Sequence, residues 1–263
     1  MTTTRALLTK VMHRLNRWRF RPNVKVESGA AQITLGSAYG GWTFEDRDSL
    51  RGSTIISAGL GEDASFDIEF ARKYRAKVII IDPTPRAIVH FGKIMECIGK
   101  AATQAYVDGG DQPTEAYPLD SINEDQLSLV DKALWTHPTT LKFYLPGNPD
   151  HVSHSVVNFQ NNYAQDTPAI EVEAVTLEEV LEAQGIGDVA LLKMDIEGAE
   201  VPVLKAMIDK GIRPEQLLIE FDELIKPSPR SRASFSESDA MLRESGYVCR
   251  YFDGLSNFLY TRE

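Results

Sequence analysis

Apolar residues along this chain fall into two patterns. Continuous runs at 54–56 and 78–81 lack the alternation of a half-exposed strand, so each reads as a strand covered on both faces, the mark of a parallel α/β sheet. A Gly-rich turn and a helix lie between them, and the second run ends in an acid, Asp82. Further strands are expected at 127–134, 169–175, 190–192 and 217–221, with weaker alternation over 141–145 ahead of the breaker cluster Pro146-Gly147-Asn148-Pro149. Helical stretches are expected at 86–100, at 177–184 up to Gly185, from Glu200 and Pro202 to about Gly211, and at 235–245 up to Gly246. Two last strands, 247–252 and 257–261, are joined at Asp253-Gly254, so an antiparallel pair should close a mostly parallel sheet.

The N-terminus has a helical rather than a strand period. Leu7, Leu8, Val11, Met12, Leu15 and Trp18 make residues 5–19 an amphipathic helix that Pro22 ends. Arg5, Lys10, Arg14, Arg17, Arg19, Arg21 and Lys25 all precede the first acid, Glu27, so this helix is strongly basic. Two readings stay open: peripheral contact with an anionic membrane, or packing on its own domain with solvated arginines. Residues 32–44 suggest a short strand or hairpin, turning at Gly40 and Gly41, positioned to cover the mouth of a cofactor site. The chain therefore divides into a lead-in, 1–49, and one catalytic-size domain, 50–263.

Composition narrows the function classes. At 263 residues, with 43% hydrophobic and 25% charged, the chain can bury a sizeable core. A net charge of −10 argues against a broad electrostatic grip on nucleic acid. Cys97 and Cys249, the only cysteines, are too few for a disulfide framework, so a reducing cytoplasm is the expected compartment. No run of about 18 apolar residues suits a membrane span, and the N-terminus lacks the compact apolar core of a signal peptide.

Candidate chemistry concentrates at the strand ends. Gly59-Leu60-Gly61-Glu62-Asp63-Ala64 is a G-x-G-x-x-A turn, where missing Cβ atoms let a ligand approach the backbone and a helix N-terminus offers N–H groups. Asp82 lies 21 residues after Gly61, close to the spacing at which a second-strand acid meets a ribose hydroxyl pair. A nicotinamide dinucleotide and S-adenosylmethionine both fit this frame. Glu62 and Asp63 would repel a pyrophosphate but attract a sulfonium and an ammonium, which favours S-adenosylmethionine. The plainer alternative is a tight turn, with Asp82 capping the next helix. A second stretch, 189–204, puts Asp195 and Glu197 at the carboxyl end of a buried strand, and Glu220, Asp222 and Glu223 follow the next one. Three strand ends thus aim carboxylates at one rim.

The motifs LLKMDIEGAEVPVLKAM, SAGLGEDASFD and IDPTPRA resemble the FkbM family of methyltransferases, whose members share an L-K-[IM]-D-[IV]-E-G-A-E pattern. The likeness runs from about Gly40 to the C-terminus. It implies a Rossmann-like class I methyltransferase fold with helices on both faces of the sheet, S-adenosyl-L-methionine as donor, and a hydroxyl acceptor on a glycan or small metabolite. By matching position it puts Gly59, Gly61 and Asp63 at the methionine end and Asp82 at the ribose, while Asp195, Glu197 and Glu200 match the acidic motif. Glu62 and Asp195 complete the expected cofactor-binding set.

For a sugar or polyketide hydroxyl a positioned base is valuable, and His154, Asp195 and Glu197 are the candidates, with His154 on a polar loop beside His151. Asp195 could instead only cap the helix near Ala199. Asp195, Glu197, Glu220 and Asp222 are also hard oxygen ligands of the kind Mg²⁺ or Ca²⁺ takes, but acidic strand ends are common without metal, and no metal is assigned. His151 and His154 lack a third ligand for zinc. The rival classes are a nicotinamide-dependent oxidoreductase, for which no Tyr-x-x-x-Lys pair stands out, and a non-catalytic cofactor-binding protein.

Overall fold

The computed structural model describes residues 19–144 and 169–262. The expected N-terminal helix at 5–19 and the loop carrying His151 and His154 lie almost wholly outside the described residues.

In chain order the strands are β1 (Gln32–Leu35), β2 (Trp42–Glu45), β3 (Thr54–Ala58), β4 (Lys77–Ile81), β5 (Leu127–Val130), β6 (Ala133–Leu134), β7 (Thr139–Tyr144), β8 (Ala169–Val175), β9 (Leu191–Met194), β10 (Gln216–Glu220), β11 (Tyr247–Phe252) and β12 (Asn257–Arg262). The α-helices are α1 (Ser65–Tyr74), α2 (Pro85–Met95), α3 (Leu177–Gln184), α4 (Glu200–Asp209) and α5 (Pro229–Glu244). Seven strands form the central sheet in the order β5-β4-β3-β9-β10-β12-β11. The first five are parallel, β12 runs antiparallel to β10, and β11 antiparallel to β12.

The unalternating strands are explained by two separate cores. Ile56, Ala58, Ile79, Ile81, Leu192 and Met194 face one layer, where α3, α4 and α5 pack. Their neighbours Ile55, Val78, Ile80 and Leu191 face the other, against α1, α2 and β2. Every second residue therefore needs an apolar partner on each side. The chain leaves β3 towards β4 and β5, then returns to β9 on the other flank of β3. That reversal opens a crevice outside the carboxyl ends of β3 and β9.

Three boundaries differ from expectation for local reasons. The stretch 127–134 splits at Asp131-Lys132: β5 joins the central sheet, whereas β6 pairs with β8 in a second sheet of order β6-β8-β7. Helix α2 stops at Met95, and Gly99, at φ +83°, turns the chain so that its N–H donates to the Leu119 carbonyl. Helix α5 starts at Pro229, well before 235, because Ser228 caps it by accepting from the Ser231 N–H.

Side chains fasten the hairpin β1–β2 to the central sheet: Gln32 donates to the Arg250 carbonyl of β11, and Gln216 grips the backbone of Glu45. Gln216, fully buried at the start of β10, accepts from the Glu45 N–H and donates to the Glu45 carbonyl, both at 3.0 Å. It thereby imitates a ladder residue, while Phe44 packs among Phe66, Phe70 and Tyr74. Gln216→Leu would leave two buried backbone groups without partners, each costing about 1–3 kcal/mol. We expect a lower urea midpoint, a loss of about 2–6 kcal/mol. An unchanged midpoint would show that the aromatic packing of Phe44 and the contacts of Gln32 and Glu45 with Arg250 hold the hairpin without Gln216.

Candidate functional site

The crevice is a cleft of about 370 Å³. Its floor is the carboxyl ends of β3, β4, β9 and β10, one wall is the hairpin tip from Tyr39 to Trp42, and another is Leu134 and Phe143 of the small sheet. The expected covering by residues 32–44 is thus seen, and Leu134 and Phe143 join a wall that the sequence did not reveal.

Packing explains the glycines. Gly59 follows β3 at φ +88°, and a Cβ there would lie 1.8 Å from the Asp195 carbonyl oxygen. Only glycine lets the β3 and β9 ends meet this closely. The turn's amides, expected to be open to a ligand, are instead used internally. Gly59 N–H donates to the Ile81 carbonyl, and Leu60 and Gly61 N–H both donate to Asp82 Oδ2, at 2.9 and 3.0 Å. At the start of α1, Ala64 N–H donates to the Tyr117 hydroxyl and Ser65 N–H to Asp63 Oδ1. Asp82 Oδ1 accepts from the Thr84 N–H and hydroxyl, so its carboxylate receives four protein hydrogen bonds. Asp82 therefore ties the turn to the end of β4 and also holds Thr84, the N-cap residue of α2.

Glu62 and Asp63 both border the cleft. Glu62 forms an ion pair with Arg86 at 3.3 Å. Asp63 Oδ2 accepts from the Ser37 hydroxyl at 2.6 Å, and a Cβ on Gly40 would come within 2.6 Å of the same oxygen. Asp63 thus holds the hairpin tip against α1.

At the end of β9, Asp195 N–H donates to the Ala58 carbonyl, and the residue lines the cleft. The Ile196 and Gly198 amides that precede α4 are taken by Glu200, and no hydrogen bond from the Asp195 carboxylate to the helix start is found among the described residues. Glu200 secures the preceding turn: its buried carboxyl accepts from Ile196 and Gly198 N–H, and burial raises its pKa well above the ordinary carboxylate range. Glu197 bends over the cleft at φ 54°, a left-handed conformation that costs a non-glycine residue about 1 kcal/mol or more. Glu220 and Asp222 complete the rim. Burial first, then the Asp195 carboxylate, push Glu220 up to about 9, against the opposing bond from Ser256. Tyr39 is raised by burial and then by Asp195, Glu197 and Glu220, which puts its phenol within their field. Among the described residues no three His, Cys, Asp or Glu side chains are arranged to hold a metal ion.

The structure thus brings Gly59, Gly61, Glu62, Asp63, Asp82, Asp195 and Glu197 to one cleft. Sequence reasoning missed Lys193 and Asn257, which also line it. A lysine inside the apolar run Leu191–Met194 was the signal for the first.

Residues 55–249 match the model of the methyltransferase FkbM domain, so the chain belongs to the FkbM methyltransferase family, whose chemistry is methyl transfer. It is 24% identical over 209 residues to Methyltransferase 1 of Beauveria bassiana (strain ARSEF 2860), covering 74% of this chain and 72% of that protein. Two crystal structures of the antibiotic-resistance methyltransferase Kmr align over 88% of this chain and all of theirs, at 14% and 13% identity and TM-scores of 0.36 and 0.33.

Glu220 gives the rim a pH signature. A carboxyl raised in the folded state, here from 4.5 to about 9, holds its proton more tightly folded than unfolded, so stability falls as pH rises across that window. Glu220→Gln keeps an acceptor for Ser256 and cannot ionise. It should be more stable than wild type near pH 8, with a gap that closes as pH falls towards 4.5. Denaturant midpoints over that range check this; a gap independent of pH contradicts it.

Proposed function

We propose that this methyltransferase uses S-adenosyl-L-methionine as its donor and methylates a hydroxyl of a glycan or small metabolite. The observation that carries the donor assignment is the internal use of the amides around the Gly turn. A dinucleotide's pyrophosphate is held by free N–H groups at such a turn. Here those of Gly59, Leu60, Gly61, Ala64 and Ser65 already donate within the protein, and the rim is acidic. Such a surface suits a ligand with positive charge and disfavours an anion.

Family motif positions support Gly59, Gly61 and Asp63 at the methionine end, beside Glu62, with Asp82 at the ribose. Because Asp82 already receives four bonds, ribose hydroxyls would exchange with existing donors, leaving Asp82 both ligand and anchor. When bound, S-adenosylmethionine supplies a methyl group activated by its sulfonium. The chain's own task is to hold an acceptor oxygen in line, which accounts for much of the rate in such displacements, and to take up its proton. Asp195 and Glu197 lie in the cleft for that purpose, and His154, outside the described residues, is the third candidate base.

Calorimetry with S-adenosylmethionine and with NADH tests the donor. Wild type should bind the first only, and Asp82→Ala should weaken it by about tenfold or more, the worth of one charge-assisted hydrogen bond. Binding of NADH alone would overturn the reading in favour of an oxidoreductase. With an acceptor in hand, Asp195→Asn or His154→Ala should lower turnover by about 10²-fold if that residue is the base. Full turnover in both leaves Glu197 or water to take the proton.

A further inference from the structure

Lys193 is the only residue of β9 that is not apolar, yet it is 4% exposed. Its stem points into the same layer as Leu191, and its Nζ donates to the Gly59 carbonyl while lying 5.5 Å from the centre of the Trp42 ring. Two further polar groups meet it from that layer. Ser57 is its direct partner across the β3–β9 pair, and Asp67, in the first turn of α1, is 1% exposed. Burial raises the Asp67 carboxyl, and the Lys193 charge is the largest influence opposing that rise. Among the described residues neither Ser57 Oγ nor Asp67 Oδ1 makes a well-formed hydrogen bond, although Ser57 lies close enough to lower the Asp67 pKa. A buried lysine at the floor of a binding cleft, held on a glycine carbonyl, is costly for stability alone, since apolar replacements of buried charges are often neutral or stabilising.

We propose that Lys193 is a positioning residue of the donor site, fixing the Gly59–Gly61 turn from below through the Gly59 carbonyl. The turn is then held from both sides: Asp82 takes the amides of Leu60 and Gly61, and Lys193 takes the carbonyl of Gly59. Without Lys193 the Gly59–Leu60 peptide is held from one side only, by Asp82 through the Leu60 N–H, and glycine's tolerance of either sign of φ lets its carbonyl reorient at little cost. The same contact turns the Lys193 charge towards Trp42, so the hairpin tip and the turn share one anchor. The consequence for binding rests on S-adenosylmethionine being the donor; the clamp itself does not.

Lys193→Met keeps the stem and removes the donor and the charge. It would leave Asp67 buried without its cation, so Lys193→Met combined with Asp67→Asn is the variant that preserves the fold. Hydrogen exchange of the unliganded protein should show faster exchange at residues 58–64 in both variants, with the amides of β3, β4 and β9 protected as in wild type. Calorimetry should show S-adenosylmethionine and S-adenosylhomocysteine weakened together by about tenfold or more, the loss expected for a charge-assisted hydrogen bond. In turnover the donor KM should rise while the acceptor KM stays. Unchanged exchange at 58–64, or wild-type donor affinity in the folded double variant, would overturn the proposal. Faster exchange at 58–64 in a protein whose wild type binds neither ligand would support the clamp and overturn the donor assignment instead.

Discussion

The contact between Gly59 and the Asp195 carbonyl is the constraint on which the cleft depends. A side chain at Gly59 would overlap that oxygen, so the ends of β3 and β9 meet only because the residue is glycine. From that seam the turn runs to Asp82, which grips two of its amides, and then into α1, whose first residues are tied to the hairpin tip by Asp63. Each contact converts backbone into a rigid floor, and pre-organisation of this kind lets binding energy act on geometry instead of on ordering a loop.

Electrostatics follow from the same arrangement. The reversal of strand order gathers the ends of β3, β4, β9 and β10, and with them Asp82, Asp195, Glu197, Glu220 and Asp222. Burial first and then the Asp195 carboxylate raise Glu220, and the acidic rim favours a ligand that brings positive charge. With the turn's amides already committed, an anion has little to bind here.

Much of the fold was legible because its cause is local or periodic. Unalternating strands revealed a sheet buried on both faces, and Gly185, Gly211 and Gly246 marked helix ends. That Gly59, Gly61 and Asp82 meet at one cleft was legible from spacing alone. What was not legible arises between distant segments: Gln216 replacing a ladder partner for Glu45, Asp63 holding Ser37, and Lys193 reaching Gly59. Spacing says where Asp82 lies, but not that four donors surround it. The split of 127–134 into two sheets has the same origin, since β6 takes its partner from β8, far along the chain.

Under the proposed function, the methyl donor binds at the seam between the β3 turn and the end of β9. A crystal structure of the complex with S-adenosylhomocysteine tests it most directly. The account predicts the sulfur beside the Gly59–Gly61 turn and Asp195, with the ribose at the end of β4 near Asp82. Density for the ligand elsewhere, such as the hollow between α2 and residues 111–115, would contradict it.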